Sequence, residues 1–121
     1  MTALHRNSGG QWVLGIAVTV VIVLFIAAPK LGGLLPEPWD KLGHLLFYGL
    51  LAFLLSISLG PKRLITVFII TCLAGMADET YQIFLPDRSP DVGDLLVDFF
   101  AALLAVMFAK KFLFLTEIKR L

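Results

Sequence analysis

The sequence predicts an all-α membrane protein, a four-transmembrane-helix bundle with both termini cytoplasmic. Three observations carry that expectation. Hydrophobic residues make up 59% of the chain and charged residues only 16%, with a mean hydropathy of +0.91, whereas a soluble protein averages about 45–50% apolar and about 25% charged residues. The apolar residues fall into four blocks, each long enough to cross a bilayer. The basic residues sit at alternate ends of those blocks. At 121 residues the chain is expected to be a single domain, 1–121, with neither an internal repeat nor a linker to divide it.

The first block, Trp12–Ala28, carries no charge and is bounded by Pro29-Lys30. Its apolar core is longer than that of a secretory signal, and Ile26-Ala27-Ala28 before Pro29 is a poor cleavage site, so it is read as a span. The second, Leu42–Leu59, is interrupted only by His44 and ends at Gly60-Pro61. The third, Leu64–Leu85, is uncharged as far as Asp78 and stops at Pro86. The fourth runs from Val92 to Ala109, before Lys110-Lys111. A helix rising about 1.5 Å per residue needs about 17–25 residues to cross the hydrocarbon core, and all four blocks qualify.

Four spans return the chain to the side on which it began. If that side is cytoplasmic, it carries Arg6, Lys62, Arg63, Lys110, Lys111, Lys119 and Arg120, against Lys30, Lys41 and Arg88 outside. This is the excess that the positive-inside rule requires. Of the acidic residues only Glu117 is then cytoplasmic. Trp12 and Trp39 fall at the interfaces, where aromatic belts form.

Several function classes are disfavoured. A net charge of +1 supplies no basic stripe for phosphates, so no nucleic-acid partner is expected. The single cysteine, Cys72, lies in an apolar run and reads as inert packing, since one thiol makes neither an internal disulfide nor a thiolate metal site. Gly32-Gly33 reads as ordinary turn chemistry. Phe47, Phe53, Phe99 and Phe100 show no special spacing and read as lipid or packing contacts. Proton or ion translocation by a monomer is disfavoured because the inner halves of helices two to four offer only Ser56, Ser58, Thr66, Thr71 and Cys72.

The informative feature is the placement of the carboxylates. An ionised carboxylate at the centre of a membrane helix costs about 2.5–3.5 kcal/mol on insertion scales, so each calls for pairing, water or use. Helix two enters from outside, with Asp40 at its tip and His44 one turn deeper. Helix three leaves there, with Asp78 and Glu79 roughly 10 Å below its end at Pro86. Helix four enters with Asp94 at its tip and Asp98 one turn below. His44, Glu79 and Asp98 are thus expected to meet at one depth in the outer leaflet.

Helical spacing assigns partners within this cluster. Asp40 and His44 are i,i+4, so Asp40 is expected to orient the imidazole. Glu79 and Gln82 share a face with Gly75, a small residue that permits close helix contact. Asp78 lies about 100° round from Glu79 and is expected to point elsewhere, or to pair with Gln82. Arg88 is a candidate to bridge the carboxylates or to hold an anionic headgroup. The plainer alternatives are helix caps for Asp40 and Asp94, a snorkelling Lys41, and a polar network that only pins the helices.

Taken in order, Asp40-Lys41-Leu42-Gly43-His44, Glu79-Thr80-Tyr81-Gln82, Pro86-Asp87-Arg88 and Asp94-Leu95-Leu96-Val97-Asp98 resemble the VanZ-like family. That family's pattern runs D-K-x-x-H, E-x-x-Q, P-x-R, D-x-x-x-N over three membrane helices. The likeness covers residues 38–108, with two departures: Asp98 stands where the family has asparagine, and Ala101-Ala102 where glycines usually follow. The resemblance implies a small multi-pass protein of the bacterial cytoplasmic (inner) membrane, from a family whose founding member is associated with teicoplanin resistance.

Two functions compete. In the first, a membrane-embedded site acts on a lipid-linked or amphipathic envelope molecule: His44, Glu79 and Asp98 handle the proton, while Asp40, Gln82, Arg88 and Asp94 hold the polar head. A divalent ion on His44, Glu79 and Asp98 is a variant of it. In the second, the cluster binds a membrane lipid or a partner protein without turnover. The sequence identifies no cofactor and leaves a homo-oligomer open.

Overall fold

The computed structural model describes residues 4–31, 36, 39–86 and 88–121. The expected turn at Gly32-Gly33 lies outside them, as does Asp87. Four α-helices follow in chain order: α1 Leu4–Leu31, α2 Trp39–Leu59, α3 Leu64–Gln82 and α4 Val92–Arg120, with a 3-10 turn at Pro61–Arg63 joining α2 to α3. The all-α expectation holds. Among the described residues, α2, α3 with its leading turn, and α4 are long and apolar enough to cross a membrane, and α1 contributes a shorter apolar stretch, Gln11–Val23.

Helix boundaries differ from the expected spans where a charge or proline was taken as a stop. α1 starts at Leu4 and runs through Pro29 to Leu31. Proline keeps a helical φ but has no amide to donate four residues back, so the helix passes Pro29 with one hydrogen bond fewer in its last turn. α4 passes Ala109 and continues to Arg120, because Lys110 and Lys111 are good helix formers and neither glycine nor proline follows them. A pair of lysines ends a membrane span without ending a helix. α3 closes at Gln82, earlier than Leu85, and its last carbonyls are taken up by tight turns: Ile83, Phe84 and Leu85 donate to Thr80, Tyr81 and Gln82 ahead of Pro86. The α2–α3 connection uses Gly60 at φ 87°, a left-handed conformation that suits a residue without Cβ.

α2 is the central helix. It packs most extensively on α4 and also against α1 and α3, while α3 packs in turn on α4. Tyr48, Leu51, Ala52 and Leu55 from α2 meet Val67 of α3, Ala101 and Ala102 of α4, and Ala17 of α1 in the core. Alanine at the contact points lets backbones approach closely, the main source of packing energy where lipid is as apolar as the core. Ser56 and Thr71 lie fully buried, each donating to the carbonyl four residues earlier, Ala52 at 2.7 Å and Val67 at 2.9 Å, so neither leaves an unmet hydroxyl.

The outer surface of the bundle is apolar. Ile65, Ile69, Leu73, Phe100, Met107 and Phe108 are all exposed, and only 28% of each candidate span is buried. A water-soluble bundle hides such residues; a membrane bundle turns them to acyl chains. Phe53 lies tilted against Phe108 and edge-on to Phe112 at centroid distances of 5.7 and 5.9 Å, so this phenylalanine is a packing contact between α2 and α4.

Gly75 of α3 lies directly against Asp98 of α4. A Cβ there would lie 2.9 Å from Asp98 Oδ2 and 3.1 Å from Asp98 Cβ. Gly75→Ala is therefore expected to push the helices apart and to destabilise the bundle by about 1–3 kcal/mol, measured as reversible unfolding in detergent. Gly15→Ala, with nothing within 4 Å of its added Cβ, is the matched control and should be neutral to stabilising by up to about 1 kcal/mol.

Candidate functional site

The polar cluster is built at the start of α2, the end of α3 and the start of α4. On α2, Lys41, His44 and Tyr48 are spaced i, i+3, i+7 and share a face. The same spacing relates Asp91, Asp94 and Asp98, at the start of α4. The two faces meet in register. Lys41 Nζ donates to Asp91 Oδ2 at 2.9 Å and to Asp94 Oδ1 at 3.0 Å. His44 Nε2 lies 3.8 Å from Asp94 Oδ2, and His44 Nδ1 is 2.8 Å from Asp98 Oδ1. Because partners advance along both helices together, α2 and α4 run parallel, entering this region from the same end.

α3 completes the cluster from the opposite direction. Glu79 Oε2 accepts from the Asp91 amide at 2.9 Å, and Glu79 Oε1 accepts from Gln82 Nε2 at 3.3 Å. The end of α3 is thereby tied to the start of α4, while Asp91 itself caps α4 by accepting from the Gly93 amide at 2.7 Å. Glu79, Gln82, Asp94 and Asp98 are buried, with Asp98 fully enclosed. His44, Glu79 and Asp98 each offer a donor atom, and the three atoms lie within 4.8 Å of one another. The convergence expected from helix depth is present.

Three expected assignments change. Asp40 does not orient His44; its Oδ1 accepts from the Lys41 amide at 2.8 Å in the first turn of α2, where backbone amides lack intrahelical partners. Asp98 and Asp94, across the α2–α4 contact, orient the imidazole instead. Lys41 is not merely a snorkelling surface group but the bridge between carboxylates, a role the sequence reading gave to Arg88. Arg88 is half-buried and forms no ion pair with these carboxylates among the described residues. Asp78 does not point away: it is buried and lies beside the Tyr48 hydroxyl. α3 touches both α2 and α4, so neighbours about 100° apart each face a helix.

Lys41, Asp91 and Asp78 are thus the residues that sequence reasoning undervalued. The matching i, i+3, i+7 spacings of Lys41-His44-Tyr48 and Asp91-Asp94-Asp98 were the available signal. Tyr48 stacks on His44 at 5.9 Å and meets the edge of Phe47 at 4.9 Å, which gives the imidazole an aromatic wall. Asp91 is the member of the cluster that lies outside the helical spans. The Lys41 ammonium, and then the Gly93 amide, hold its carboxyl below the ordinary aspartate range.

The family model described as VanZ/LLP1 matches residues 11–115. No curated protein and no solved structure matches the chain.

The depressed Asp91 value fixes the sign of a pH effect. A carboxylate whose folded value is lowered stabilises fully above its unfolded value, about 3.9, and loses that contribution as pH falls through the folded one. The midpoint gap between the parent and Asp91→Asn in detergent unfolding should therefore be widest near neutral pH and close under strong acid. A gap that does not change with pH would assign the effect to capping alone. A family match over residues 11–115, most of the chain, places this protein in the VanZ/LLP1 family.

Proposed function

We propose that this protein is a multi-pass protein of the bacterial cytoplasmic membrane, with both termini inside, whose polar cluster takes the head of a lipid-linked or other amphipathic envelope molecule at the outer leaflet. One observation carries the reading: three ionisable side chains from three apolar helices converge within 4.8 Å. An ionisable group inside a membrane segment is a functional group by default, because insertion selects against it otherwise.

In this reading Glu79 and Asp98 serve as general acid and base, with His44 as their proton partner. Gln82, Asp94 and Arg88 receive the polar head, Asp40 fixes the start of α2, and the exposed apolar helix faces receive the tail. Altered susceptibility to an amphipathic glycopeptide such as teicoplanin is the phenotype that this reading gives.

A second reading has its own support. Both Glu79 oxygens already accept hydrogen bonds, from Gln82 and from the Asp91 amide, which suits a fixed binding element better than a proton carrier. In that reading the protein binds the lipid head without turnover. A partner membrane protein or a second copy of the chain is the competing occupant.

Two experiments separate these readings. With the parent protein in nanodiscs of bacterial polar lipid, mass spectrometry should find a retained lipid-linked species. His44→Ala and Glu79→Gln should lose about tenfold or more of it while keeping helicity. Glu79→Asp should remain a binder in either case and should lose turnover only if the site is catalytic. Retention at the parent level in His44→Ala and Glu79→Gln would overturn both readings. For topology, Ser89→Cys and Glu117→Cys in a Cys72→Ser background should differ in intact cells: an impermeant maleimide should label the first and reach the second only after lysis. The opposite pattern would invert the orientation.

A further inference from the structure

We propose that His44, Glu79 and Asp98 form a binding site for one divalent transition-metal ion of the zinc or manganese class. The inference rests on reading the cluster as a site rather than a packing network, and it does not require the lipid.

Four observations meet on it. The donor atoms come from three different helices and lie within 4.8 Å of one another, a spread that a single cation can draw together. Asp98 is fully buried, and no group donates to its Oδ2 among the described residues. A buried oxygen left unpaired costs about 1–3 kcal/mol, more when charged, so this atom calls for a partner. It faces α3 at Gly75, where an added Cβ would come within 2.9 Å; Gly75 lies one helical turn from Glu79, on the same stripe of α3. The unmatched oxygen therefore points at the face that carries the third ligand.

Charge points the same way. Asp78, Glu79, Asp94 and Asp98 are each buried to 7% exposure or less. Among the described residues the cations at this cluster are Lys41 and, when protonated, His44, and Lys41 is already shared between Asp91 and Asp94. Buried carboxylates are paired or coordinate metals. A divalent ion would supply the missing positive charge at the point where the ligands converge.

The surroundings resemble the supporting shell of a metal site. Gln82 and the Asp91 amide fix both oxygens of Glu79, and Lys41 fixes Asp94, which stands 3.8 Å from His44 as a candidate fourth ligand. Such outer hydrogen bonds orient ligands, and losing them typically lowers metal affinity 10- to 100-fold. One imidazole with carboxylate oxygens suits zinc or manganese, whereas magnesium favours an all-oxygen, water-rich shell and soft ions favour sulfur.

The test uses the full chain in detergent, stripped with EDTA and titrated with Zn²⁺ by calorimetry and with Mn²⁺ by electron paramagnetic resonance. One ion per chain is expected, with Mg²⁺ a poor competitor. Asp98→Asn and Glu79→Gln should each weaken binding by about tenfold or more, and Glu117→Gln, far along α4, should leave it unchanged. Helicity of each variant is read by circular dichroism. If a variant fails to fold, the parent stoichiometry decides: only trace binding of both ions overturns the proposal, as does an Asp98→Asn protein that binds like the parent. A chain that binds neither ion yet retains lipid through His44 overturns this inference alone. A metal-binding chain that retains no lipid overturns the proposed function alone.

Discussion

The register between α2 and α4 depends on one ionic ladder, and most of the remaining geometry follows from it. Lys41 reaches Asp91 and Asp94, and His44 sits between Asp94 and Asp98. Sliding either helix by one turn would leave one of these groups facing alanine or leucine in a region with little water. Apolar packing in a bilayer discriminates weakly between registers, because lipid competes equally well for the side chains. Directional polar contacts discriminate strongly. The ladder selects the register; the alanines and Gly75 then let the backbones close around it.

That division of labour explains how a chain this apolar tolerates so many acids. The carboxylates sit where α2 and α4 begin and α3 ends, next to backbone amides that lack helical partners. Asp40 serves the Lys41 amide, Asp91 the Gly93 amide, and Glu79 the Asp91 amide. Each contact gives an orphan donor a charged acceptor. Asp98 stands apart, since only one of its oxygens is matched. It is also the position at which the sequence resemblance led asparagine to be expected and the chain carries an aspartate.

Much of this was legible in the sequence. Helix count and the convergence of His44, Glu79 and Asp98 followed from a constant rise per residue, which converts sequence distance from a helix end into depth. Two kinds of feature were not legible. Choosing between Asp40 and Asp98 as the partner of His44 needs the azimuth of α4 about α2, which hydropathy does not encode. Helix ends were misplaced because charge marks where a chain leaves lipid, whereas hydrogen-bond competition and backbone chemistry mark where a helix stops. Lys110-Lys111 and Pro29 separate those two signals. Asp78 was misjudged for a related reason: rotation about α3 was measured without knowing that helices flank it on two sides.

α4 is an uninterrupted rod of 29 residues, about 43 Å long at the usual rise. Its first turns carry Asp91, Asp94 and Asp98; its last turns expose Phe112, Phe114, Leu115 and Ile118. Tilting it by about 5° would swing the far end by about 4 Å, from the length set by helical rise. One continuous helix therefore runs from the carboxylates to the exposed Phe112, Phe114, Leu115 and Ile118, so the two ends of this protein share a single element.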